Sequence, residues 1–193
     1  MPRPQLILAS KSKRRIKLIP LFGFKYKIHP SNISEAILEN ETPTNHVARL
    51  SCEKVLSISK NYKNQNCIIL GADTIVVLNK KIITKPTSKK DAIKILAILS
   101  EKKHSVFTGI TLLNCKNKKL LTDVVKTKVK FRKLEKKEII KYVATNSPMD
   151  KAGAYGIQDD YGAFFVESIQ GCYYNVVGLP LQKIEQAIKE ILK

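Results

Sequence analysis

The chain has 193 residues, a net charge of +19 and 44% hydrophobic residues, enough for one domain with a substantial core or for two small lobes sharing a cleft. No apolar run approaches the roughly 20 residues of a membrane-spanning helix. The 4 cysteines and 3 histidines are too scattered for a zinc site or a disulfide framework, so buried free thiols are expected.

The charge is spread along the chain and not gathered into a tail. That fits compositional drift with some steering of small anions better than a dedicated nucleic-acid patch. Pro2-Arg3-Pro4 runs straight into a strand with no signal-peptide pattern, so a cytoplasmic protein is expected.

Leu6-Ile7-Leu8 reads as a short strand. Ala9-Ser10-Lys11-Ser12 follows, and residues 13 to about 19 read as a short helix stopped by Pro20 and Gly23. Strand, small-residue loop and helix start form a natural anion site, because free backbone N–H groups converge there. Arg14 and Arg15 oppose the helix dipole, which an anion between them would explain; the alternative is a basic solvated turn. No Walker loop occurs.

Residues 24–29 form a second predicted strand, and residues 30–40 a polar loop holding Glu35. Thr42 or Thr44 caps the next helix, which carries Pro43 in its first turn and runs to about residue 60. Its apolar arc takes in Val47, Ala48, Leu50, Cys52, Val55, Leu56 and Ile58, with Arg49 and Glu53 on the solvent side. Lys54 falls inside the arc, where a lysine must snorkel or meet an anion. A methionine there would fill the arc with little loss of stability.

Cys67–Leu78 is the stretch the chain is organised around. Its Ile and Val residues suit a central strand covered on both faces, and Asp73 sits in the middle. An ionised carboxylate there needs cations or hydrogen bonds. Gly71 leaves room for a backbone or a ligand to approach. The alternative is a strand that ends at Gly71, with Asp73 opening a turn.

A turn at Asn79-Lys80-Lys81 leads to a strand at 82–84, and Ser88 with Asp91 resembles a capping box for a helix to Leu99. Residues 104–114 and 120–132 read as a hairpin. Lys126, Lys128, Lys130 and Arg132 lie on one face of its second strand, a solvated face in preference to a polyanion site. Residues 135–145 form an amphipathic helix. The Ala- and Gly-rich run 147–158 implies close backbone packing. A strand at 164–169 and a turn at Gln170-Gly171 precede the last helix, opened by Gly178-Leu179-Pro180, with Leu181, Ile184, Ile188 and Ile191 at helical spacing.

Six segments, in order and covering nearly the whole chain, resemble the Maf family of nucleotide pyrophosphatases. They are Leu8-Ala9-Ser10-x-Ser12-x-Arg14-Arg15; Arg49-Leu50 with Glu53-Lys54; Leu70-Gly71-Ala72-Asp73-Thr74; Thr84-Lys85-Pro86; Asp150 through Gln158; and Asn175-Val176-Val177-Gly178-Leu179-Pro180. The resemblance implies a single Maf-like α/β domain over residues 1–193: an elongated mixed sheet with surrounding helices and two lobes around a nucleotide-binding cleft. It also implies hydrolysis of a nucleoside triphosphate to the monophosphate and pyrophosphate, with Mg²⁺ or Mn²⁺ as cofactor, and a homodimer.

Carried onto this chain, the resemblance puts Ser10, Arg14, Arg15, Lys54 and Lys85 around the triphosphate. Asp73 is the general base or holds the water through the metal, and Glu35 is a further ligand of the metal or of the water. Arg14, Thr74 and Gln158 match the branch that prefers dTTP and UTP. The branch acting on 7-methyl-GTP has Trp for that Arg and an acidic residue for that Thr. Lys13 replaces the usual Pro, and Asp159 and Asp160 replace a Gly after Gln158. The alternative from another class, also discussed for the family, is a basic nucleic-acid-associated regulator of cell division.

Overall fold

Twelve consecutive residues with a continuous apolar pattern, Cys67–Leu78, form one strand in which every residue except Thr74 is buried. Asp73 lies inside it, so the strand does not end at Gly71. The computed structural model describes residues 3–158 and 161–193. In chain order its elements are β1 (Gln5–Leu8), α1 (Lys13–Leu18), β2 (Tyr26–Ile28), α2 (Pro43–Ser59), β3 (Cys67–Leu78), β4 (Lys81–Ile83), α3 (Lys89–Leu99), β5 (Lys103–Asn114), β6 (Leu120–Phe131), α4 (Lys136–Ala144), β7 (Val166–Gln170), α5 (Tyr173–Val177) and α6 (Leu181–Ile191).

The strands form one seven-stranded sheet in the order β2-β1-β3-β5-β6-β7, with β4 paired to β3. It is mixed: β1 is parallel to both β2 and β3, whereas β4 is antiparallel to β3 and β7 to β6. The fold is therefore α/β with a mixed sheet, as the resemblance implies.

The chain makes two compact units. One comprises Met1–Asp73, Thr108–Val125 and Gly178–Lys193, and the other Thr74–Phe107 and Lys126–Val177. In the first, Ile7, Ala9, Val55, Ile58, Tyr62, Cys67, Ile69 and Cys115 form a buried cluster. Cys67 and Cys115 are free thiols, and burial pushes Cys67 up to about 12. Helix α6 buries Ile184, Ile188 and Ile191, and Asn114 Nδ2 donates to the Ile191 carbonyl at 3.2 Å.

The second unit is built around aromatic rings. Phe131 meets His104, Tyr155 and Phe165 edge-on, with centroids 4.9, 4.7 and 6.0 Å away. Edge-to-face contacts of this kind add to the burial of the rings. In β6, Thr127, Val129 and Phe131 are buried. Of the basic residues opposite, Lys126 lies over the Phe107 ring, and Lys130 and Arg132 pair with Glu167 and Glu138.

Local chemistry departs from the sequence reading in three places. Ser88 accepts from the Asp91 N–H, but the Asp91 carboxylate turns to the Thr87 N–H, so the box does not close. The reciprocal box is at Glu135 and Glu138, heading α4. Residues Tyr161–Phe165 coil as a 3₁₀ turn before β7 starts, and α5 follows it. A five-residue helix is too short to declare a period. Leu56, placed in the apolar arc of α2 by periodicity, is 49% exposed.

His104 is buried and shares a 2.8 Å hydrogen bond with the Tyr155 hydroxyl. Burial lowers its pKa from 6.5 to about 4, so it is neutral at physiological pH. The folded pKa lies below the unfolded one. Its contribution is complete above about 6.5 and is lost as pH falls through about 4. Urea unfolding of the native chain should therefore lose about 3 kcal/mol over that range from this group, and His104→Gln should lose that component of the pH dependence.

Candidate active site

A lysine on the buried face of a helix needs a partner, and the first unit supplies one because α2 sits directly on sheet backbone. A Cβ on Gly71 of β3 would lie 2.4 Å from the Ser51 carbonyl oxygen and 2.7 Å from Val55 Cγ2. One on Gly109 of β5 would lie 2.1 Å from the Val47 carbonyl oxygen. No Cβ fits at either position unless the helix moves away. Side chains alternate along a strand, so Asp73 points to the same face as Gly71. It meets Lys54 of α2 there, whose Nζ donates to Asp73 Oδ1 at 2.6 Å.

The same ammonium pairs with Glu35 Oε1 at 2.7 Å. The Lys54 and Asp73 side chains are each 8% exposed, and Glu35 is 43% exposed on the rim. The polar loop and the central strand thus deliver one carboxylate each to a single cation. Among the described residues no group of three or more His, Cys, Asp or Glu side chains is arranged to hold a metal.

Arg15 is buried and turns inward from α1. Its Nε donates to the Gly178 carbonyl at 2.8 Å, and its Nη1 to the Ala72 carbonyl at 2.8 Å and to Ser10 Oγ at 3.3 Å. The Ser12 N–H also donates to Ser10 Oγ. One guanidinium therefore ties the loop after β1, the residue before Asp73 and the turn before α6. Burial pulls it down to about 10, Asp73 and Glu35 oppose that and Arg14 adds to it. It remains a cation at neutral pH. Arg14, Arg15 and Lys54 thus supply three positive charges against the two carboxylates of Asp73 and Glu35.

A second cluster flanks Lys54 along α2; the sequence reading placed Arg49 and Glu53 on the solvent side and gave Glu41 no role. Arg49 grips Glu41 with two nitrogens, Nε to Oε1 at 2.6 Å and Nη2 to Oε2 at 2.9 Å. His46 Nδ1 lies 2.8 Å from Glu41 Oε2, and the Leu38 N–H donates to the same oxygen. The hydrogen bonds from Arg49, then the weaker one with His46, hold Glu41 down to about 2 against its burial. The available signal was an acid one residue before the helix cap, facing His46 and Arg49 one turn apart.

In the second unit, Thr74 is the half-buried residue of β3, and Lys85 lies exposed beyond β4. The run 147–158 folds as two 3₁₀ turns, Ser147–Asp150 and Ala152–Ala154. The Gly153 N–H donates to the carbonyl of Thr84, the neighbour of Lys85. A Cβ on Gly153, at φ +70, would lie 2.8 Å from Val76 Cγ2. Gln158 presents a buried Oε1 with no hydrogen-bond partner among the described residues. Asp159 and Asp160 lie outside those residues.

A family model described as Maf-like protein matches residues 5–191. The chain is 45% identical over 187 residues to a dTTP/UTP pyrophosphatase of Dictyoglomus turgidum, covering 96% of this chain and 95% of that protein. It is 45% identical over 188 residues to one of Clostridium botulinum, covering 96% of each. A third, from Dictyoglomus thermophilum, is 43% identical over 190 residues, covering 98% of this chain and 97% of that protein. Among solved structures, that of the Staphylococcus aureus Ham1 protein aligns over 66% of this chain and 71% of its own at 11% identity, with a TM-score of 0.36.

Removing Lys54 leaves Asp73 buried without its cation, so the ion pair outweighs the apolar arc. Lys54→Met is expected to cost about 3 kcal/mol in urea unfolding, the usual loss when one partner of a buried pair is deleted. Adding Asp73→Asn should return more than half of it. A single variant as stable as the native chain would show that the pair is not a structural constraint.

Proposed function

The chain belongs to the Maf family, and from that premise we propose that it hydrolyses dTTP and UTP to the nucleoside monophosphate and pyrophosphate. The observation that carries this is the buried Lys54, in contact with Asp73 and Glu35 and flanked by Arg15. Its cations outnumber its carboxylates, which suits a triphosphate. The relatives that match over nearly their whole length are dTTP/UTP pyrophosphatases. No helix among the described residues is long and apolar enough to cross a membrane.

In this reading Arg14, Lys54, Lys85 and Ser10 bind phosphate oxygens, Arg14 with its planar fork and the lysines as point charges. Arg15, expected from the resemblance to join them, has its Nε and Nη1 held by the Gly178 and Ala72 carbonyls and contributes charge from behind. Water attacks the α-phosphorus. A new P–O bond forms, the bond to the β-phosphoryl oxygen breaks and pyrophosphate leaves. Asp73 accepts the proton of the attacking water, and Lys54 fixes the carboxylate and stabilises its charge. Asp73 and Glu35, two hard-oxygen donors already sharing one cation, fit a Mg²⁺ or Mn²⁺ ion, which would neutralise phosphate charge when bound. A homodimer belongs to the same reading.

The base preference rests on Arg14, Thr74 and Gln158. A pyrimidine edge carries a carbonyl and an N–H, and an amide side chain both accepts and donates. The buried Oε1 of Gln158, without a hydrogen-bond partner among the described residues, is an acceptor of the kind such an N–H needs. A 7-methylguanine base is cationic and favours a tryptophan face, and this chain has no tryptophan.

A panel of nucleoside triphosphates with Mn²⁺ or Mg²⁺ should rank dTTP and UTP first by kcat/KM. A purine or 7-methyl-GTP ahead of them by more than about tenfold would overturn the substrate assignment. Asp73→Asn should fold and release no pyrophosphate. Near-normal release by that variant would remove the carboxylate from the mechanism.

A further inference from the structure

Glu35 lies in a stretch without helix or strand, between β2 and α2. Ordering such a coil costs about 1–2 kcal/mol per residue, so its carboxylate stays at one place only if the backbone beside it is held. Helix α2 holds two consecutive loop residues. Lys54 takes the Glu35 side chain at 2.7 Å. Arg49 Nη2 donates to the backbone carbonyl of Ala36 at 3.0 Å. The rest of the Arg49 fork is occupied on both sides: Glu41 takes two of its nitrogens, and Glu53 Oε1 accepts from Nη1 at 3.2 Å. Glu41 in turn receives the Leu38 N–H at 3.3 Å. The loop is thus gripped at residues 35, 36 and 41 by two side chains of α2, and residue 38 is tied to Glu41.

We propose that Arg49 and Glu41 are positioning residues for the hydrolysis: together they fix the loop backbone so that the Glu35 carboxylate stays beside Lys54 and Asp73. Neither touches the reacting atoms. Arg49 has no fork left for a phosphate, because its donors are engaged by Glu41, Glu53 and Ala36. A lysine cannot replace it, since one ammonium cannot hold a carboxylate bidentately and reach a carbonyl beyond it. The inference rests on the pyrophosphatase reading for its catalytic half and on the hydrogen bonds alone for its structural half.

Amide hydrogen exchange and pyrophosphate release, measured on the full chain, test the two halves separately. Arg49→Gln and Glu41→Gln should each speed exchange across residues 34–41 by at least about tenfold and leave residues 67–78 unchanged. Unchanged exchange at 34–41 would overturn the tether. Arg49→Gln and Arg49→Lys should each lower kcat about tenfold in the native background. In a Glu35→Gln background the further loss should be under about twofold, because the residue acts through Glu35. Equal losses in both backgrounds would overturn the positioning role. Absence of pyrophosphate release from the native chain would remove the enzymatic reading and the catalytic half with it, while exchange would still decide whether the loop is tethered.

Discussion

A charged ammonium on the inner face of a helix is tolerated only where opposite charge meets it. At Lys54 two carboxylates do, one from the middle of the central strand and one from a coil. Asp73 is a costly residue for a buried strand, and Lys54 is a costly residue for a buried helix face. Each makes the other acceptable. A pairing of this kind is weak evidence for stability as such. Under the proposed function it makes sense as a site, where an arriving polyphosphate would offer the ammonium a new partner.

The pairing depends on distance, and glycine sets the distance. Any side chain at Gly71 would collide with the Ser51 carbonyl and Val55, and any at Gly109 with the Val47 backbone. With both absent, α2 lies against the strands and Lys54 reaches Asp73. Arg15 works on the same strand one residue earlier, where it holds the Ala72 carbonyl. The residues that carry charge in the first unit are thus placed by backbone contacts, with rigid elements on two sides and the Glu35 loop on the third.

Much of this was legible in the sequence, for physical reasons. A continuous apolar run around Asp73 suited a covered strand with a charge to neutralise, although it also allowed a strand ending at Gly71. Helical periodicity put Lys54 in an apolar arc, where it had either to snorkel or to meet an anion. What the sequence left open was the identity of the anion, since Asp73 and Glu35 lie on separate elements. Arg15 shows where local pattern stops. A helix start rich in arginine points outward to an anion, yet this side chain bonds carbonyls 57 and 163 residues away. The Glu41–Arg49 grip was hidden because Arg49 falls on the polar side of α2, and only the path of the loop brings Glu41 over it. The short helix α5 and the turn before β7 have too few residues to show a period.

Under the proposed function, water attacks the α-phosphorus of a nucleoside triphosphate. Turnover in ¹⁸O-labelled water, followed by mass analysis of both products, tests it directly. One labelled oxygen is expected in the nucleoside monophosphate and none in the pyrophosphate. Label in the pyrophosphate, or release of orthophosphate in its place, would mean attack at another phosphorus and would contradict it.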